Sequence, residues 1–287
     1  MLYYADINAK NRYNEIKREI ENDQNIADSK NNNINDSQKT NNPINLLVLG
    51  LDGDGTRSDV ILLANYRPGE NNVNILSITR DTKVIVKSKN AKINALIGMG
   101  GEKLIVSKVE EMTGLTIDYY LTMDFNGFRK IIDELGGVEI NVPFDMHYDD
   151  PMQNLHIHLK KGRQVLDGSK AEQFVRYRKG NIYGQGYRDG DLGRIKAQQL
   201  FIRELIKQKL SIKYISKIDD IYAILKEYTK TNIKLTDIMY YLKKFNIKID
   251  EIKTWTIPGD SAIIDSVAYF IYDSKETFEI IKNNFYK

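Results

Sequence analysis

Three short apolar runs, Leu46–Leu49, Val60–Ala64 and Val73–Ile78, follow one another early in the chain, each rich in branched residues and bounded by Gly, Pro, Asn or Asp. Runs of this length and make-up predict buried strands. Charge gathers at their ends. Asp52, Asp54, Arg57 and Asp59 crowd the first connection, and Arg80 and Asp81 follow the third run. If the three strands pair in one sheet, the first connection and the end of the third strand share an edge over an apolar floor. Downstream, a short strand continues to Val86, and Lys92-Ile93-Asn94 is placed in a loop. Apolar positions Leu104, Ile105, Val109 and Met112 give a helix from about Glu102 to Met112 one buried face. Ile117–Asp124 reads as a strand, and Asn126 as the cap of a helix that runs to Leu135 and stops at Gly136 and Gly137. Val138–Val142 is a further strand.

A second concentration of charge lies in QFVRYRKGNIYGQGYRDGDLGRIKAQQ. Arg176 and Arg178 are two apart, so an extended backbone would aim both at one face. Asp191, Arg194 and Gln198 are spaced i, i+3, i+7, which stacks them on one side of a helix. The opposite side carries Ile195, Ile202, Leu205 and Ile206 and has a core to meet. Carboxylates suit a hard cation, and forked guanidinium groups suit bidentate grip on phosphate oxygens. Solvated loop charge is the competing reading for the first cluster taken alone. His156-Ile157-His158 puts two imidazoles on one strand face; no third ligand is apparent nearby, and an exposed edge strand explains the pair as well. Asp149-Asp150 reads as a solvated turn. Gly184, Gly186 and Gly190 lack the strand and lysine of a phosphate-binding loop and read as a mobile loop over the site.

Toward the C-terminus the pattern predicts helices over about Ile212–Lys230 and Thr236–Phe245, then strands near Ile249–Ile257 and Ile263–Tyr272. Asp273 with Glu276 would cap the last helix, and Trp255 reads as core or rim.

The two charged clusters together resemble the LytR-CpsA-Psr family of cell-envelope phosphotransferases. The matching pieces are NLLVLGLD, Arg57-Ser58-Asp59, SITRDT at 77–82, KIN at 92–94, IDYYLTMDFNGF at 117–128, ELGGVEI at 134–140, LDG at 166–168, FVRYR and GDLGR. They cover about residues 44–210 in the expected order. Thr79 stands where the family has proline before Arg-Asp, and Ala197 where it commonly has a further arginine.

The resemblance implies one α/β domain over residues 44–287, with a mixed, largely antiparallel central sheet flanked by helices on both faces. It implies transfer of an anionic glycopolymer, teichoic-acid or capsule-like, from a polyprenyl-pyrophosphate carrier to a peptidoglycan hydroxyl. Carried over residue by residue, Asp52 and Asp59 would hold Mg2+ (or Mn2+), with Arg57 beside them. Arg80, Arg176, Arg178 and Arg194 would grip the two phosphates, Gln198 would add a neutral donor, and Asp191 would orient Arg194 or accept the hydroxyl proton. Hydrolysis of the lipid pyrophosphate, or a non-catalytic wall-glycan or lipid-binding role, are the alternatives.

Charge and composition change this picture little. The chain has 42 basic against 39 acidic residues, a net +3, which offers no polycation for nucleic acid. With no cysteine there is no disulfide, thiolate metal site or cysteine nucleophile. No apolar run reaches the 18 or so residues that span a bilayer. The resemblance implies an N-terminal membrane anchor outside this chain, with Met1 falling just after it and the catalytic domain on the outer side of a Gram-positive-type envelope. Residues 1–43 then read as a tether, because Asn22–Asn42 is too poor in apolar residues to fold alone.

Overall fold

The three apolar runs are adjacent antiparallel strands: β1 (Ile44–Leu51), β2 (Ser58–Arg67) and β3 (Asn72–Ser77). The computed structural model describes residues 42–182, 184–209, 217–244 and 251–286. β4 (Lys83–Val86) and β5 (Lys89–Lys92) form a small hairpin, after which a single 3-10 turn leads into α1 (Leu96–Thr113). β6 (Tyr119–Met123) joins β1 in parallel. The sheet is completed by β11 (Thr229–Thr231), antiparallel to β6, and β12 (Ile252–Thr256), parallel to β3, in the order β11-β6-β1-β2-β3-β12. It is therefore mixed, as the resemblance implied.

Alternation of the strand residues sends apolar side chains to both faces, and each face has its helices. Leu47, Leu49, Ile61, Leu63 and Leu76 meet Ile105 and Val109 of α1 and Ile281 of α7 (Ser274–Asn284). On the other face, Leu62, Val73, Ile75 and Ile252 meet Ile202 and Ile206 of α4 (Asp191–Lys209). The far side of α4, at Ala197, Phe201 and Leu205, packs into a second core. That core is built by α2 (Phe125–Glu134), α3 (Gly168–Arg176), the ribbon of β7 (Val138–Val142) with β10 (Gly162–Leu166), and the hairpin of β8 (Met146–Asp150) with β9 (Leu155–Leu159). α4 is thus shared between two cores. Gly168 opens α3 against the backbone of α2, where any Cβ would collide with the Arg129 carbonyl.

Several expectations are corrected. α1 begins at Leu96, because its glycines hide the start: Gly101 breaks the helical path with φ 69°. Asp124, not Asn126, caps α2, its carboxylate accepting the Gly127 amide at 2.8 Å. Arg176 ends a helix, so FVRYR is not an extended stretch. Asp149-Asp150 belongs to β8 rather than to a turn. The run Ile263–Tyr272 is two strands, β13 (Gly259–Ile264) and β14 (Val267–Tyr272), reversing at Asp265 and Ser266 with φ of 50° and 63°. Of the helix expected over 212–230, α5 (Ile218–Tyr228) is described and gives way to β11, while residues 210–216 lie outside the described residues. α6 (Leu235–Lys244) falls close to expectation. Asp273 caps α7, accepting the Lys275 and Glu276 amides at 2.9 Å. Trp255 is half-buried at the rim of the first core. The expected tether over 1–43 lies almost wholly outside the described residues. Among the described residues no helix is long and apolar enough to cross a membrane.

Candidate active site

The antiparallel order β1-β2-β3 meets the condition set by the strand pattern and puts the β1–β2 connection and the end of β3 at one sheet edge. The connection is held by its own backbone: the Asp52 amide donates to the Arg57 carbonyl at 2.9 Å, and the Gly98 amide at the start of α1 donates to Thr56 at 3.0 Å. Asp59, at the start of β2, accepts a hydrogen bond from Arg80 Nη1 at 2.8 Å. From the other side, the end of α3 and the first turns of α4 close over this edge.

The result is a trough with two lobes. The inner lobe, about 250 Å³, is lined by Arg80, Arg176, Arg178, Lys179, Arg194 and Gln198, with Val60, Phe125, Leu155 and Val175 as apolar wall. The outer lobe, about 1130 Å³, is lined by Asp52, Asp54, Arg57, Lys92 and Asn94. Asp59, Arg80 and Arg176 border both. Asp191 and Arg194 meet Asp59 and Arg80 in a small crevice beneath. The site residues carried over from the two sequence clusters therefore come to one place, although they are spread over more than a hundred positions, whereas Arg188 and Asp189 of the second cluster line a separate pocket with Tyr187, Lys196 and Leu200.

The inner lobe is a concentration of cations around few anions. Arg194 Nη2 lies 2.6 Å from Asp191 Oδ1, and Arg178 Nε lies 3.9 Å from the same oxygen. Burial holds the Arg194 guanidinium below its ordinary pKa; Asp191 opposes this, and the charges of Arg80 and Arg178 add to it. At Arg80 burial also pulls down, but Asp59, Asp81 and Asp191 more than offset it, and the net shift is upward. The Nε atoms of Arg80 and Arg194 are buried without a hydrogen-bond partner. Arg80 Nε faces the Asp81 carboxylate, 3.8 Å from its Oδ2.

Arg176 is placed by α3: its Nη1 binds Glu172 Oε1 at 2.8 Å, and its guanidinium lies 4.5 Å from the centre of the Phe125 ring. Glu172 also holds Arg129 at 2.5 Å. Gln198 Nε2 donates to the Val175 carbonyl at 3.0 Å, so this amide pins the end of α3 to α4 and is a positioning group first. Glu172, Phe125, Tyr148 and Lys179 were not singled out from sequence. Glu172 had a readable signal, the i,i+4 spacing to Arg176. Phe125 and Tyr148 come from distant elements and had none.

The outer lobe is mixed in charge. Asp52 accepts the Arg57 amide at 3.1 Å, yet its carboxyl is pushed above the ordinary range, first by burial and then by Asp54 and Asp59. Asp54 accepts both the amide and the hydroxyl of Thr56. Four carboxylates, Asp52, Asp54, Asp59 and Asp81, are matched there by Arg57, Arg80, Lys92 and Arg176, and the Asp52 and Asp59 oxygens are ligands of the kind a hard divalent cation takes. Mg2+ in such sites uses one or two carboxylates and keeps several waters, which the open lobe allows. Thr79 and Ala197, the two departures from the family pattern, are both buried, and Ala197 packs in the second core rather than lining the trough.

The chain belongs to the LytR_cpsA_psr family, whose model matches residues 3–285. It is 34% identical over 205 residues to the polyisoprenyl-teichoic acid–peptidoglycan teichoic acid transferase TagV of Bacillus subtilis, a stretch covering 68% of this chain and 51% of TagV. The chain thus spans about half the length of that relative. It is 28% identical over 245 residues to the transferase TagU of Bacillus subtilis, covering 84% of this chain and 76% of TagU. The crystal structure of B. subtilis TagV superposes with a TM-score of 0.71 at 29% identity, covering 85% of this chain and 96% of that one.

Proposed function

We propose that this protein transfers an anionic glycopolymer from a polyprenyl-pyrophosphate carrier to a hydroxyl of peptidoglycan. The observation that carries the reading is the inner lobe itself, four arginines from three segments beside an apolar wall. A pyrophosphate joined to a lipid matches both halves of that surface. The TagV and TagU names support the same substrate pair.

In the reaction, the acceptor hydroxyl oxygen attacks the phosphorus that carries the glycan. The bond between that phosphorus and the bridging oxygen breaks, polyprenyl phosphate leaves, and the hydroxyl proton passes to a base. Arg80 and Arg194 meet the charge that develops on the leaving phosphate, and Arg176 and Arg178 hold its partner. Catalysis of this kind is mainly positioning and electrostatic stabilisation in a water-poor site. Asp52 and Asp59 would hold Mg2+, which supplies further neutralisation of phosphate charge when bound. Asp191 sits on Arg194 and Arg178, which supports the orienting role over that of base. The carrier lipid places the protein at a membrane surface, on the outer side, where peptidoglycan lies. Water in place of the acceptor would give hydrolysis at the same site.

Binding to the native state alone stabilises by mass action, about 2.7 kcal/mol at a hundredfold excess over the dissociation constant. A short-chain prenyl pyrophosphate should raise the melting temperature, and the monophosphate should do so less. Arg178→Lys keeps the charge but loses the planar fork, and should weaken the response sharply. A shift with double-stranded DNA and none with prenyl pyrophosphate would overturn the reading.

A further inference from the structure

The chain contains three histidines, and all three stand on one face of one hairpin. In β8 and β9, Met146, Leu155, Ile157 and Leu159 point inward to the second core. The alternate positions point out, and the register pairs His147 with His158 and Asp149 with His156. The three imidazoles gather around the one carboxylate between them. His156 Nδ1 lies 2.6 Å and His158 Nε2 3.0 Å from Asp149 Oδ1, and His147 Nδ1 lies 3.9 Å from Oδ2. Ligand atoms of His147, Asp149 and His158 all fall within 4.8 Å of one another, the only such trio of metal-type side chains among the described residues.

We propose that His147, Asp149 and His158 form a surface site for a borderline divalent ion of the zinc class, separate from the arginine trough. Two imidazoles and a carboxylate are a ligand set for Zn2+, with the fourth position left to water, and a poor one for Mg2+, which prefers oxygen. The supporting shell is already in place. His156 holds the Asp149 carboxylate, as outer partners of metal ligands do. The backbone of Asp149 is fixed in both directions by Asn181, whose Oδ1 accepts the Asp149 amide at 2.6 Å and whose Nδ2 donates to its carbonyl at 2.9 Å. The His158 amide donates to Gln173 of α3 at 2.8 Å. From sequence only the His156–His158 pair was visible, because the remaining ligands lie across the hairpin.

The site also has a consequence for the trough. Tyr148 and Leu155 of the same hairpin line the inner lobe. An ion bridging β8 and β9 from outside therefore stiffens one wall of the substrate cavity. The proposal does not depend on what that cavity binds.

The test uses the chain without a polyhistidine tag, stripped with chelator and titrated with Zn2+ by calorimetry, then with Co2+ read by visible absorption. One equivalent of Zn2+ should bind and raise the melting temperature, and an excess of Mg2+ should not displace it. His147→Asn and His158→Asn should each abolish stoichiometric binding. His156→Asn, which removes an outer partner, should weaken it about 10–100-fold. Asp52→Asn, in the other cluster, should leave it unchanged. The three histidine side chains are exposed, so the histidine variants should match the parent's melting temperature in chelator. Absence of stoichiometric Zn2+ binding, or its survival in the His147→Asn/His158→Asn double variant, overturns the proposal, as does a Co2+ adduct without tetrahedral visible bands.

Discussion

Asp191 is the most informative single position, because it compensates Arg194 and Arg178 while the site is empty and competes for them when a ligand arrives. Consider Asp191→Asn, which keeps the shape and removes the charge. Removing one partner of a fully buried pair costs about 3–5 kcal/mol. Here the side chains of Asp191 and Arg194 are 24% and 13% exposed, and the Arg178 contact is long at 3.9 Å. Screening reduces the expected loss to about 1–2 kcal/mol. For a domain of this size that is a fall of about 2–8 °C in melting temperature without ligand. A pyrophosphate then supplies the missing negative charge, so the ligand-induced rise should be larger in the variant than in the parent. Differential scanning fluorimetry and calorimetry with a short prenyl pyrophosphate measure both arms. An unchanged melting temperature without ligand, or weaker pyrophosphate binding, would refute the view that Asp191 acts by compensating these arginines. Tighter binding with transfer lost would instead assign it the base.

Two further outcomes follow from the same geometry. The Asp52 carboxyl takes up its proton at higher pH folded than unfolded, so its charged form costs stability at neutral pH, and that cost disappears as pH falls through the folded value. Asp52→Asn should therefore stabilise the metal-free protein slightly, by less than about 1 kcal/mol after screening and seen as a small rise in melting temperature, while abolishing Mg2+-dependent transfer; a destabilised variant would contradict this. Gly168→Ala puts a methyl group into the Arg129 carbonyl and should cost about 1–3 kcal/mol in chemical denaturation, with no change if α2 can slide.

What was legible in the sequence was what local pattern determines. Branched apolar runs gave the three central strands, and the i, i+3, i+7 spacing placed Asp191, Arg194 and Gln198 on one face of a single helix. The juxtaposition of Asp59 and Arg80 followed from strand pairing alone. Features set by tertiary contact did not show. The kink at Gly101 sits in a helix whose glycines argue against helix at all. The apolar wall at Phe125 and Tyr148 exists only because α2 and the β8–β9 hairpin fold over the sheet edge. The Asp149 cluster was missed for the same reason, since two of its members face each other across paired strands rather than along one.

Transfer itself is the direct test of the central claim. The chain should be incubated with Mg2+, a polyprenyl-pyrophosphate-linked glycopolymer and isolated peptidoglycan, and the two products separated. The account predicts polyprenyl phosphate released in equal amount to glycopolymer joined to peptidoglycan through a phosphodiester. Both should be lost in Arg80→Lys and Arg194→Lys and on chelation. Release of neither product by the folded, Mg2+-loaded chain would contradict it, as would full transfer by the arginine variants.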